Sequence, residues 1–180
     1  ALIPPSFYGN FRDLSPDLVR AALTAPGGFH EVFDVAVAAD LVSEVMREYM
    51  ADHPDEGPFI SPSCPAVLRL IQVKYPSLLR HVIPAEAPME IAAWLAKTLA
   101  TADRGGRAPT TVFISPCPAK ITAARQPVGR GRSLVDAVVS SSDAKAFVET
   151  HKVDALEGGP GGDLGGIRST GLGLGWGRSG

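Results

Sequence analysis

Short runs of β-forming residues alternate with segments of helical period along most of this chain, and that alternation restricts it to an α/β fold with a parallel sheet. Residues 1–4 read as a short buried strand, followed by a polar loop. Ser15-Pro16-Asp17 then supplies a helix N-cap with proline in the first turn, and the helix runs to about Thr24, where Gly27-Gly28 stops it. Residues 29–35 are rich in β-formers, and Val37, Leu41, Val45, Met46 and Tyr49 recur at helical spacing across residues 36–52. A third strand is expected over 59–61. Val67, Leu68, Leu70, Ile71 and Tyr75 line the helix that follows it, and Pro76 and Pro84 interrupt the chain in turn. Pro88 opens another helix, over 89–100, with Ile91, Trp94, Leu95 and Leu99 as its apolar stripe. Strands are expected over 110–115 and 134–140, and a last helix over 143–151 capped by Ser141 or Ser142.

The length of 180 residues suits one domain, and 45% hydrophobic against 20% charged residues is ordinary for a globular chain with a real core. A formal net charge of −2 gives no electrostatic footprint for nucleic acid. No apolar run is long enough to span a bilayer, and the first residues lack the layout of a signal peptide, so the expected compartment is the cytoplasm, with no membrane and no nucleic-acid partner. Because the chain opens directly on a strand-like run, it reads as a piece of a longer polypeptide. Residues 1–157 form the α/β lobe on this reading. Residues 158–180 are glycine-rich, with Leu172, Leu174 and Trp176 spaced between the glycines. Composition alone suits a flexible linker, whereas the interleaved apolar residues suit a loop ordered against a further part of the protein.

Cys64 and Cys117 sit in an internal echo: Phe59-Ile60-Ser61-Pro62-Ser63-Cys64-Pro65-Ala66 and Phe113-Ile114-Ser115-Pro116-Cys117-Pro118-Ala119. In a parallel sheet, loops at the carboxyl ends of strands share the edge where open α/β folds bind ligands, which puts both thiols on one side of the molecule. The flanking prolines restrict the backbone and remove N–H donors, so each loop presents its sulfur in a fixed direction, as a metal cluster requires. The alternatives are core thiols and repeated proline turns without chemistry. His30, His53, His81 and His151 stand in no recognisable relation to either cysteine, which disfavours a cysteine nucleophile activated by a base.

Ser63-Cys64-Pro65-Ala66, with Tyr75-Pro76 and Ala87-Pro88-Met89 after it, resembles the first cysteine motif of the iron-only hydrogenases. Pro116-Cys117-Pro118-Ala119-Lys120 resembles the second, Pro-Cys-x-x-Lys, and the 135–139 strand and the glycine-rich 171–180 stretch are similar to what links the second motif to the third. The resemblance implies one lobe of that fold with the start of the next. It makes Cys64 and Cys117 two of four thiolates on a [4Fe–4S] cubane joined to a di-iron centre, together the H-cluster. It also makes Lys120 the donor to an iron-bound cyanide, and lays Pro5 and Ser6 against the di-iron centre. The third cysteine motif is missing from this stretch, so the cofactor is expected to be incomplete here. Dihydrogen and protons are the implied substrates, and a ferredoxin-like domain or protein the implied electron donor.

The departures from that family bear on activity. Where active members carry a proton-passing cysteine before the first ligand, Ser63 stands. Ser115 occupies a usual methionine position, Ala123 a glutamate and Val67 a tryptophan. A hydroxyl is a poor acid beside a thiol, so Ser63 as the catalytic proton carrier implies a slow or hydrogen-sensing form. The second reading is a hydrogenase-like iron–sulfur assembly or electron-relay protein without the di-iron centre.

Overall fold

The computed structural model describes residues 1–157, apart from Arg104 and Arg130. The elements are β1 (Leu2–Ile3), α1 (Pro5–Tyr8), α2 (Pro16–Leu23), β2 (Phe33–Asp34), α3 (Val35–Asp52), α4 (Pro65–Lys74), a 3-10 turn (Pro76–His81), α5 (Pro88–Asp103), β3 (Val112–Ser115), α6 (Pro118–Arg125), β4 (Ala137–Ser140) and α7 (Ser141–Glu157). The expected parallel α/β sheet is present. Its strand order is β2-β1-β3-β4, with Leu2 opposite Phe33 and Phe113, and Ser115 opposite Ser140.

Alternation along each short strand sorts its side chains to two faces. Ile3 and Ile114 join Phe7, Val19, Leu23 and Val148 of α1, α2 and α7 in one core. Leu2 and Phe113 join Ala38, Met89, Ala92, Ala93 and Ala123 of α3, α5 and α6 in the other. Helices thus cover both faces. The chain leaves β1 toward β2 on one side and later returns to place β3 on the other, so the switch in strand order falls between β1 and β3. The carboxyl ends of that pair carry Pro4-Pro5-Ser6 and Pro116-Cys117.

Several expectations are corrected. Residues 59–61 do not form a sheet strand: Ile60 makes one isolated parallel bridge to Val82, while Phe59 turns into a small cluster with Val42, Met46 and Ile83. Pro58 and Pro62 bracket this segment and have no N–H to extend a ladder. The second strand shrinks to Phe33–Asp34 because the Phe29 N–H closes the end of α2 by donating to the Leu23 carbonyl at 2.8 Å. Gly28 must be glycine in that turn, since a Cβ there would strike the same carbonyl and the Phe147 ring.

The last strand begins at Ala137 rather than 134, because Asp136 and Ala137 both donate to the Thr111 carbonyl and Leu134 is held by Glu90. The cap of α7 is Ser140: its hydroxyl accepts from the Asp143 N–H at 3.1 Å. The polar loop after β1 contains the one-turn helix α1, and α6 follows Cys117 where no helix was expected. The Ser15 cap stands as expected, accepting from the Leu18 N–H at 3.2 Å. Residues 158–180 lie outside the described residues.

Candidate cofactor site

Both cysteines occupy the same local structure. Cys64 is the N-cap of α4 at φ −105° and ψ 106°, and Cys117 is the N-cap of α6 at φ −117° and ψ 116°, each with proline as the first helical residue. Extended backbone at the cap, fixed by the following proline, turns each loop from its strand-like approach into a helix. The approach to the cap differs by one residue. The Ser61 hydroxyl accepts from the Ser63 N–H at 3.4 Å and donates to the Ser63 hydroxyl at 3.0 Å, while the Ser115 hydroxyl accepts from the Cys117 N–H at 3.2 Å. Counted from the incoming segment, Ser63 is the counterpart of Cys117; counted from the outgoing helix, Cys64 is.

The first turns of α4 and α6 line one cavity of about 80 Å³. Ser63, Pro65 and Leu68 come from the first loop, Lys120 and Ala123 from the second, and Ala87, Met89 and Glu90 from the start of α5. Lys120 and Ser63 thus line one cavity. Pro5 and Ser6 lie at the end of β1, beside β3, and neither they nor the two sulfur-bearing residues line this cavity. Cys64 is exposed and Cys117 half-buried, and both thiols are free. The expectation that they terminate neighbouring sheet strands holds for Cys117 alone, since residues 59–61 stay outside the sheet.

Two polar clusters near this edge escaped the sequence. Glu90 is buried and accepts from the Ser133 hydroxyl at 2.6 Å and the Leu134 N–H at 2.7 Å, tying the segment before β4 to the cavity wall. Its signal was an acid in the first turn after Pro88, which reads as an ordinary helix-dipole residue. On the α1 side, the Tyr8 phenol donates to Asp34 Oδ1 at 2.6 Å, and Arg20 pairs with Asp34 Oδ2. Burial, then the Asp34 charge, pushes the Tyr8 phenol well above its ordinary range, so it stays neutral.

The family model for the iron only hydrogenase large subunit, C-terminal domain, matches residues 1–173. The chain belongs to this family. Within it, the chain is similar to Iron hydrogenase 1 of Clostridium pasteurianum, 27% identical over 133 residues that cover 70% of this chain and 23% of the relative. Its fold resembles that of HydA(deltaEFG), from work on H-cluster assembly, at a TM-score of 0.61 and 24% identity, covering 83% of this chain and 41% of the other. A variant of the [FeFe]-hydrogenase HydA1 from Chlamydomonas reinhardtii superposes at 0.60 with 23% identity, over 83% and 42% of the two chains. The chain thus spans about a quarter of the curated relative and two-fifths of the solved hydrogenases.

The residues present fit an iron–sulfur cofactor as part of a donor set. Free thiols are the ligands such clusters take, and four are usual. Among the described residues no three His, Cys, Asp or Glu side chains gather around one point, and the two free thiols, Cys64 and Cys117, number half of such a set. No helix of the described residues is long and apolar enough to cross a membrane.

Proposed function

We propose that this chain is the cofactor-holding part of an iron-only hydrogenase that interconverts dihydrogen with protons and electrons slowly, or senses it. The observation that carries the reading is the cavity where the loop before Cys64 meets Lys120 from the helix after Cys117. A pure iron–sulfur scaffold has no need of a cation at that position. When bound, the H-cluster supplies the redox chemistry of dihydrogen.

The chain's own residues do the rest. Cys64 and Cys117 hold the cubane through their thiolates, with further ligands supplied from outside the described residues. Lys120 would offer its ammonium to the anionic ligands of the di-iron centre, a positive charge matched to a negative ligand. Pro5 and Ser6, at the neighbouring strand end, would lie against that centre when it is bound. Ser63 carries the proton, and its hydroxyl is already paired with that of exposed Ser61. Electrons come from a ferredoxin-like domain or protein in the cytoplasm.

Ser63 is the slow point of this assignment. Substitution Ser63→Cys in the fully matured, full-length protein raises hydrogen evolution from a reduced dye, because a thiol with pKa about 8.5 titrates near working pH and an aliphatic hydroxyl does not. The gain is partial, since Ala123 leaves the surrounding family pattern incomplete. Equal rates in the two forms with intact cofactor would refute a proton-transfer role at this position. Loss of activity in Lys120→Gln, with the cubane retained, is the accompanying expectation for the di-iron centre.

A further inference from the structure

Cys117 lies between two prolines, so Pro116-Cys117-Pro118 contains a single N–H, that of Cys117 itself. That N–H is held by the hydroxyl of Ser115, the last residue of β3, at 3.2 Å, and the same hydroxyl donates to the Cys117 carbonyl at 3.1 Å. Ser115 is 2% exposed. Its hydroxyl therefore clamps both backbone polar groups of one residue from a fixed position inside the sheet. The Cys117 carbonyl also accepts from the N–H groups of Lys120 and Ile121 as α6 begins, at 3.1 and 3.2 Å. Strand end, cysteine and helix start are thus joined through one residue.

The first loop lacks an equivalent device at its cysteine. There the matching hydroxyl, Ser61, is exposed and holds the N–H of Ser63 rather than that of Cys64. The two loops differ accordingly: the backbone of Cys117 is held by a buried hydroxyl, whereas that of Cys64 is held only as the cap of its helix.

We propose that Ser115 is a positioning residue for Cys117, fixing the backbone from which its thiol projects. The inference rests on Cys117 being a cofactor ligand for its functional consequence, but not for its geometry. Without the hydroxyl, the Cys117 N–H and carbonyl lose their tie to the end of β3, and the loop that carries the thiol is held less firmly. The geometry of a ligand sulfur and its surroundings affects a cluster's potential, so the side chain at 115 acts on both through the placement of Cys117.

The test compares alkylation of the two thiols in the apo chain, with Cys64 as the internal standard. In Ser115→Ala the rate ratio of Cys117 to Cys64 rises by roughly fivefold, the factor that one net hydrogen bond supports, and Ser115→Thr, which keeps the hydroxyl, restores it. Unchanged circular dichroism shows that the variants fold. An unchanged ratio in Ser115→Ala, or a raised ratio that Ser115→Thr does not reverse, would overturn the proposal. In the cluster-loaded full-length protein, Ser115→Ala also shifts the cubane's electron paramagnetic resonance signal and midpoint potential, while Ser115→Thr keeps both. A wild-type protein that takes up no cluster would sink the cofactor reading, and the alkylation ratio would still judge Ser115 on its own.

Discussion

Tyr8, Arg20 and Asp34 stand far apart in sequence and meet at the carboxyl edge of the sheet, where they fasten α1, and with it Pro5 and Ser6, to β2 and α2. Their pairing could not be read from the sequence, because each has its own local explanation and only the β1–β2 register brings them together. The cysteine loops were legible for the opposite reason: proline, serine and cysteine dictate a local backbone path, and the path repeats. The Tyr8 cluster predicts a pH response with a definite sign. A phenol whose pKa is raised on folding stabilises the protein fully below the unfolded value of about 10 and loses that contribution as pH rises toward the folded value. Denaturant midpoints measured from about pH 8 to about pH 11 should therefore fall for the wild type. Tyr8→Phe starts lower, by about 1 to 3 kcal/mol for a lost bond to a carboxylate, and its curve is flatter. Parallel curves would show that the Tyr8 phenol titrates alike in the folded and unfolded states, so that folding does not raise its pKa.

Helix positions were legible at the scale of elements, but the faces that helices bury were legible only in part. In α3 and α5 the residues against the sheet include Ala38, Ala92 and Ala93, whose small size lets the two helices approach closely, while Leu41, Val45 and Trp94 face outward. A search for large apolar residues at helical spacing finds only part of the buried face: Val37, Met46, Ile91 and Leu95 do pack inward, but alanine makes the rest of the contact. In α4 the contrast falls on neighbours, with Ile71 4% exposed and Leu70 51%. Ile71→Ala should cost about 2–5 kcal/mol by leaving a cavity, and Leu70→Ala within about 0.5 kcal/mol, by chemical denaturation. Similar losses at the two positions would mean that the burial assigned to α4 is wrong. Glu90 belongs to the same scale, since it joins α5 to the segment entering β4. Glu90→Ala leaves the Ser133 hydroxyl and the Leu134 N–H without this acceptor and should cost about 1–3 kcal/mol by the same measurement.

For the whole molecule, alternation of strand and helix was enough to yield a parallel α/β sheet, but not its order. The order β2-β1-β3-β4 arises because the α3, α4 and α5 crossover carries the chain back across β1, and no residue spacing records that path. The consequence is functional: the switch between β1 and β3 sets the Pro5–Ser6 turn beside the Cys117 loop, as open α/β folds do at their ligand sites. The Cys64 loop reaches the same region by a different route, from outside the sheet, with α4 carrying its first turn to the cavity shared with α6. The central claim is that these two loops act as one ligand set. Iron and acid-labile sulfide content, with visible absorption, of the anaerobically prepared full-length protein and its Cys64→Ser and Cys117→Ser variants tests it most directly. The account predicts a cubane in the wild type and loss of its absorption in each single variant, because a hydroxyl is a poor ligand for so soft a cluster; unchanged iron content and absorption in either variant would contradict it.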